Sequence, residues 1–441
     1  MGRKLFGTDG VRGVAGEFLT AELALALGRA ATRQTGSQRP QVLILRDTRE
    51  SGEMLQAALA AGVSAAGGDA LLGGVLPTPA APLLIGRYGF DLAAVLSASH
   101  NPYQDNGIKF FAADGYKLSD DAERAIEREL EQGGQVAHAA PQIGRIRELR
   151  GAPEDYLREL HTRFADLDLR GVRVLLDCAN GATCQVAPEI FRRLGAELSV
   201  VADAPDGRNI NAGCGSTHIQ ALAEQMVAGG HAIGFAFDGD GDRVLAVDAR
   251  GEVVDGDELM ALVALHLRDR GRLSGNGVAV TVMTNYGFHA AMRREGVDVG
   301  ITQVGDRYVL EELRARGWAL GGEQSGHIID MGFNRTGDGI ASALLTLEAL
   351  DGRDLSERDA MSKLPQRLVN VRVRDREALG QAQDLGAAVS AAEQQLAGRG
   401  RVLVRPSGTE PLVRVMVEAP TAQEAREVCG RLVALVEREL G

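Results

Sequence analysis

Short apolar runs recur along the chain, each closed by a polar or glycine-rich loop that cannot extend it. Residues 90–96 have the make-up of a buried parallel strand. The run stops at Ser97-Ala98-Ser99-His100-Asn101-Pro102, because Pro102 lacks a backbone donor and biases Asn101 away from helix. Upstream, Thr20 reads as the N-cap of an Ala/Leu-rich helix reaching about Gln34, residues 41–45 as a strand, Ser51 as the start of a helix to about Ala66, and residues 69–72 as a strand. A second round follows: strand 172–176, helix 188–194, strand 197–201, and strand 232–237 ending in Asp238-Gly239-Asp240-Gly241-Asp242-Arg243. A third has strand 278–282, helix 289–294, strand 297–301, and a strand near 318–320 ending in Gly321-Gly322-Glu323-Gln324-Ser325-Gly326-His327.

Strands alternating with helices predict α/β domains with mostly parallel sheets. Three such rounds without a strict period describe a degenerate triplication, not a solenoid. The tail differs. Strands 401–404 and 412–417 flank Arg405-Pro406-Ser407-Gly408-Thr409-Glu410-Pro411, Thr421 and Glu424 suggest a capping box, and Leu432, Leu435, Val436 and Leu440 mark an apolar helical face. The expected domains are 1–150, 151–250, 251–365 and a small α+β domain, 366–441. Helix 120–131 and a helix from Pro153 read as connectors at the first boundary.

Composition narrows the function classes. The chain carries 48 Lys and Arg against 60 Asp and Glu, a net charge of −12. That balance disfavours nucleic acid and anionic membrane as partners, and an anionic small substrate then needs local arginines and lysines. The four cysteines, Cys178, Cys184, Cys214 and Cys429, make no CxxC pair and suit a reducing compartment. The start lacks an apolar signal core, and no run approaches membrane-spanning length, so a cytoplasmic location is expected.

Read alone, Ser-His-Asn-Pro is ordinary turn composition. Its place at the carboxyl end of a strand, where α/β sheets bind ligands, makes Ser99 a candidate nucleophile. Asp238, Asp240 and Asp242 alternate with glycines that let three carboxylates fold inward onto a hard divalent cation. An EF-hand is excluded, since Arg243 takes the turn-glycine position and Ala249 the bidentate-glutamate position. An aspartyl-phosphate phosphatase remains a rival for that loop. Arg405, Ser407, Gly408, Thr409 and Arg414 have the donors of a phosphate clamp. Glu323 and Ser325 suit adjacent sugar hydroxyls. Gly7-Thr8-Asp9-Gly10-Val11-Arg12-Gly13 reads as a glycine-rich loop able to approach a ligand closely. Metal, clamp, polyol reader and hydroxyl together describe phosphoryl transfer on a sugar phosphate.

These loops, in this order, resemble the α-D-phosphohexomutase family across all four domains, and no motif position departs from it. Phe6-Gly7-Thr8-Asp9-Gly10-Val11-Arg12-Gly13 and Gln324 resemble its glucosamine subgroup. The resemblance implies an active site in the central cleft. It implies that Ser99 carries the transferable phosphate and that Asp238, Asp240, Asp242 and a Ser99 phosphate oxygen bind Mg²⁺. It makes His100 and Lys109 acid/base or charge-stabilising residues and Arg12 and Arg243 charge neutralisers. Glu323 and Ser325 would read the sugar, with His327 beside them. Arg405, Ser407, Gly408, Thr409 and Arg414 would hold the non-reacting phosphate, and Asp306 and Arg307 would be contacts from the third domain. The implied activity interconverts glucosamine 6-phosphate and glucosamine 1-phosphate, with glucosamine or glucose 1,6-bisphosphate as activator. It feeds UDP-N-acetylglucosamine and peptidoglycan precursors and is compatible with a homodimer. Mannose or glucose phosphates as substrates, or a Mg²⁺-dependent phosphatase, are the alternatives.

Overall fold

Thr20 caps the first helix, Ala21–Gln34, its side chain accepting the Leu23 N–H. The computed structural model describes residues 5–7, 9–132, 142–375, 377–406 and 411–441, with only the backbone of Glu377, Gln381 and Gln383. Six strands make the first sheet: β1 (Val11–Val14), β2 (Gln41–Arg46), β3 (Asp69–Val75), β4 (Leu92–Leu96), β5 (Asp105–Ala112) and β6 (Ile146–Glu148). Their order is β1-β5-β4-β2-β3-β6. Pairings from β4 through β2 and β3 to β6 are parallel, while β5 joins β4, and β1 joins β5, antiparallel. Helices Ala21–Gln34 and Ser51–Ala65 bury Leu27, Leu55, Leu59 and Val63 against Val42, Ile44 and Leu96.

The second sheet holds β7 (Arg173–Asp177), β8 (Glu197–Val201), β9 (Ile233–Phe237), β10 (Val244–Asp248) and β11 (Val253–Val254), ordered β11-β10-β9-β7-β8. The third holds β12 (Gly277–Thr281), β13 (Asp298–Thr302), β14 (Leu320–Gly322) and β15 (Ile328–Asp330), ordered β13-β12-β14-β15. One arrangement repeats in all three. A strand with a parallel neighbour ends in a chemistry-bearing loop, and the chain returns as an antiparallel neighbour: β4 to β5, β9 to β10, β14 to β15. The sheets are the expected α/β ones, mixed in that parallel strands are joined by an antiparallel return in each. Loops as short as 97–104, 238–243 and 323–327 can join only antiparallel neighbours, since a parallel return needs a long crossover.

Several details depart from the sequence pattern. Val11, Arg12 and Gly13 form strand β1 instead of a loop, pairing with Ile108, Gly107 and Asn106. Trp318 and Ala319 precede β14, which begins at Leu320. Thr421 caps its helix by accepting the Glu424 N–H, but the Glu424 carboxylate pairs with Arg399 at 3.5 Å, so the reciprocal half of the box is not made. A complete capping box, Asp255 with Glu258, starts helix Gly256–Asp269.

The chain forms two compact units, Met1–Val282 with Val299–Arg358, and Met283–Asp298 with Asp359–Gly441. The second is built on β16 (Gln366–Arg372), β17 (Arg401–Pro406) and β18 (Leu412–Glu418), ordered β16-β18-β17 and wholly antiparallel. Helix Ala422–Leu440 packs Val428, Leu432 and Val436 on Val402, Val413 and Val415. Helix Tyr286–Arg294 belongs to this unit. Fully buried Glu418 accepts the Tyr286 N–H at 2.8 Å and the Arg401 Nε–H at 2.8 Å. No helix among the described residues is long and apolar enough to cross a membrane.

Candidate active site

The five residues of β4 are all buried, and the chain leaves them in a loop with Ser99 at φ +53°. A left-handed serine costs on the order of 1–2 kcal/mol and persists only where its surroundings hold it. Here the Ser99 N–H donates to Ser97 Oγ at 3.0 Å, and the Ser99 carbonyl accepts from Arg49 and Asn211, each at 2.9 Å. Ser99 Oγ then donates to Asp238 Oδ2 at 2.6 Å. Gly239 permits this approach, since a Cβ there would lie 2.6 Å from the Ser99 carbonyl oxygen.

Asp238, Asp240 and Asp242 follow β9 and are all buried, each offering a carboxylate oxygen within 4.8 Å of the others. Burial, then repulsion from Asp242 and Asp240, pushes the Asp238 carboxyl well above its usual range. Among the described residues, Oδ1 of Asp240 and Oδ1 of Asp242 are buried without a hydrogen-bond partner. Three convergent carboxylates with unused lone pairs fit a hard divalent cation, which wants oxygen ligands. Protein groups neutralise part of this charge. Lys109 Nζ, on β5, donates to Asp240 Oδ2 at 2.8 Å and lies 3.0 Å from Asp9 and 3.7 Å from Asp242. Burial works against the Lys109 ammonium, but Asp240, Asp9 and Asp242 outweigh it and hold its pKa above the usual lysine range. Thr78 Oγ1 donates to the same Asp240 oxygen at 2.6 Å.

His100 Nδ1 lies 3.4 Å from Ser99 Oγ and 3.2 Å from an Arg243 terminal nitrogen. An arginine only donates, so Nδ1 accepts and the ring is the neutral tautomer with its proton on Nε2. Burial and the guanidiniums of Arg243 and Arg12 push the His100 pKa down, in keeping with that tautomer. Arg12, on β1, pairs with Asp9, which also meets Lys117. Lys117 continues to Asp306 at 2.5 Å.

In the loop after β14, Glu323 is buried and accepts the Gly305 N–H at 3.0 Å, and Ser325 is exposed. His327 accepts the Gly337 N–H at Nε2, 3.1 Å, leaving Nδ1 toward Asp242 at 3.7 Å. Gln324 ties to the helix-capping Asp255 at 3.1 Å. Asp306 joins the cluster through Lys117, whereas Arg307 is engaged by Asp120 at 2.5 Å and by Glu123 at 3.8 Å.

In the second unit, Arg405 and Arg414 stand opposite each other across β17 and β18. Directly opposed like charges destabilise a sheet unless something offsets them. Arg414 Nε is buried with no hydrogen-bond partner among the described residues, and burial together with Arg414 lowers the Arg405 pKa. That pair suits an anion. Ser407, Gly408 and Thr409 lie outside the described residues.

Sequence reasoning passed over Asp9, Asp47, Arg49, Thr78, Lys117 and Asn211. Asp47-Thr48-Arg49 did carry a signal. It follows β2 at the same sheet edge as Ser99, with both charges in a loop closing a buried strand.

Comparison with known proteins covers most of the chain. Four family models match in order: phosphoglucomutase/phosphomannomutase alpha/beta/alpha domain I at 3–137, domain II at 154–251, domain III at 255–368, and the C-terminal domain at 368–435. The phosphoglucosamine mutase of Moorella thermoacetica is 52% identical over 436 residues, 97% of this chain and 98% of that protein. That of Desulforudis audaxviator is 51% identical over 441 residues, 98% of this chain and 97% of that protein. Among solved structures, a phosphoglucomutase/phosphomannomutase family protein from Burkholderia thailandensis superposes with TM-score 0.82 at 23% identity, covering 99% of this chain and 97% of that one. An N-acetylphosphoglucosamine mutase from Aspergillus fumigatus, in complex with GlcNAc-6P and magnesium, gives TM-score 0.68 at 18% identity, covering 98% and 95%. The same triplicated α/β frame, the serine held against three aspartates and full-length relatives at about half identity place this chain in the phosphoglucomutase/phosphomannomutase family.

Proposed function

We propose that this chain interconverts glucosamine 6-phosphate and glucosamine 1-phosphate, the activity named in its relatives at half identity. The observation that carries the chemistry is the Ser99 hydroxyl, 2.6 Å from one of three buried carboxylates gathered for a cation. In this reading Ser99 is phosphorylated in the working enzyme. The Ser99 Oγ–P bond breaks as a bond forms from phosphorus to a sugar hydroxyl oxygen, and that hydroxyl loses its proton. The product is a 1,6-bisphosphate. The second half-reaction returns the other phosphate to Ser99, whose hydroxyl proton is released in turn.

Bound Mg²⁺, held by Asp238, Asp240, Asp242 and a phosphate oxygen on Ser99, would offset charge on the transferring group. The chain's own residues do the rest. Lys109, kept as an ammonium, and Arg12 and Arg243 face the spreading negative charge. His100, its Nδ1 3.4 Å from Ser99 Oγ, is the acid/base candidate beside the serine outside the three aspartates. Glu323, Ser325 and His327 take the sugar, with Asp306 behind them, and Arg405, Ser407, Gly408, Thr409 and Arg414 the non-reacting phosphate. Domain limits at 150/151, 250/251 and 365/366, a hexose 1,6-bisphosphate activator, a cytoplasmic location and a homodimer belong to the same reading.

Glucosamine, glucose and mannose 6-phosphates assayed side by side test it. The glucosamine ester should give 1-phosphate fastest. Preference for mannose or glucose would shift the substrate, and inorganic phosphate without any 1-phosphate would make the protein a phosphatase.

A further inference from the structure

Every N–H of the Arg49 side chain is turned toward the protein itself. Nε donates to Asp47 Oδ2 at 2.8 Å. One terminal nitrogen donates to the carbonyls of Ser99 and Asn101, each at 2.9 Å, and the other to those of Pro102 and Asp105, the last at 3.0 Å. The side chain is fully buried. Three carbonyls of the loop and that of Asp105, the first residue of β5, thus converge on one planar guanidinium, and a backbone whose carbonyls point inward at one cation must curl around it. Asp47 closes the frame on the other side. Its Oδ2 accepts the Ser97 hydroxyl at 2.5 Å, and Ser97 Oγ accepts the Ser99 N–H. Asn211, reaching from the loop after β8, donates to the Ser99 carbonyl at 2.9 Å and the Asn101 carbonyl at 3.2 Å. The left-handed serine is clamped at both its N–H and its C=O.

We propose that Arg49, with Asp47 and Asn211, is a positioning residue for phosphoryl transfer. It holds the loop in the curl that aims Ser99 Oγ at the aspartate cluster, without touching the substrate. This rests on the reading of Ser99 as the phosphate carrier. A lysine cannot replace the fork, because an ammonium offers three donors from one point and cannot span four carbonyls and a carboxylate. Misplacing the reacting atom by as little as 1 Å is worth about 10²-fold in rate.

Arg49→Lys keeps the charge that buried Asp47 needs and removes the fork. The expected result is a kcat lower by about 10²-fold with KM for glucosamine 6-phosphate little changed, the pattern of a lost transition-state alignment. The single-turnover rate at which glucose 1,6-bisphosphate phosphorylates dephosphorylated Ser99 should fall by the same factor, and that rate constant does not depend on how much protein is folded. Asn211→Ala should lower both rates in the same pattern, by about tenfold, the weight of its hydrogen bond to the Ser99 carbonyl. Wild-type kcat and wild-type Ser99 phosphorylation in Arg49→Lys, or a raised KM with kcat kept, would overturn the proposal. If Arg49→Lys does not fold, Asn211→Ala decides alone: wild-type rates overturn the proposal, and a lower kcat at unchanged KM supports it. A wild type that neither phosphorylates Ser99 nor interconverts hexosamine phosphates overturns the functional reading, and this one with it. An active wild type with equally active variants overturns this one only.

Discussion

Ser97 and Ser99 are both fully buried hydroxyls two residues apart, yet they face different partners: Ser97 donates to Asp47 and Ser99 to Asp238. Ser99→Ala should therefore leave the fold intact and remove nearly all mutase activity. Ser97→Ala removes two hydrogen bonds, one to the Asp47 carboxylate and one from the Ser99 N–H; only the second touches Ser99, and its loss should cost about tenfold in rate. Phosphopeptide mapping after incubation with labelled bisphosphate checks the assignment, and label on Ser97 would refute it. Replacing Asp238, Asp240 or Asp242 with Asn removes a formal charge from the proposed cation site. Each variant should bind Mg²⁺ more weakly and lose on the order of 10²-fold in rate. Full activity of all three in excess EDTA would remove the metal from the mechanism. The serine loop and the aspartates were legible because their chemistry lies in consecutive residues. Lys117 with Asp306, or Arg49 with residues 99–105, was not legible. Such pairs meet only after the strands fold, and a lone charge in a loop reads the same whether it ends in solvent or in a buried pair.

At the scale of elements, β5 shows why a strand can escape the pattern. Asn106, Gly107 and Lys109 interrupt its apolar positions, yet residues 106–111 are all buried. The interruptions serve the site. Lys109 meets the aspartates, and a Cβ at Gly107 would lie 2.4 Å from the Ser97 carbonyl oxygen. Helix Gly339–Leu350 gives an element-level prediction. Its N-cap Asp338 accepts the Ala341 N–H at 3.0 Å and the Tyr156 hydroxyl at 3.0 Å, deep in the fold. Burial, only partly offset by these hydrogen bonds, raises the Asp338 pKa to about 6. The unfolded chain releases this proton near pH 4. Between about pH 4 and 6 the native state therefore binds more protons than the unfolded state, and stability falls as pH rises. Above that window the cost is constant, on the order of 3 kcal/mol for a shift of about two units. Asp338→Asn should flatten this slope, so urea midpoints of wild type and variant measured from pH 4.5 to 8 should differ by a constant amount above about pH 6 and approach each other below it. Parallel curves would rule out Asp338 as the titrating group.

At the scale of the whole molecule, one serine must serve two ends of one sugar. A phosphoserine at a fixed place in the first unit cannot reach O1 and O6 of a hexose in a single pose. If Ser99 first donates to one end, the protein is left bare and the sugar carries two phosphates. The bisphosphate must then turn so that its other end faces Ser99. In the proposed reading the Arg405 and Arg414 pair takes either end, because both present the same phosphate group. Glu323 and Ser325 offer polar contacts, which accept a sugar in two orientations more readily than a shaped apolar pocket would. The second unit has a core of its own, built on Val402, Val413, Val415, Val428 and Leu432, and turning the sugar requires its contacts to loosen. Loosening also lets some bisphosphate escape, leaving an enzyme unable to begin another cycle. Dephosphorylated protein should therefore be inactive toward glucosamine 6-phosphate alone and should recover on addition of a hexose 1,6-bisphosphate. The sharper measurement follows phosphate label. Substrate carrying isotopically labelled phosphate, mixed with unlabelled substrate of distinguishable sugar mass, should pass label through Ser99 onto product made from the unlabelled sugar. If every product molecule keeps the phosphate it arrived with over many turnovers, transfer is internal to the sugar and Ser99 is not its carrier.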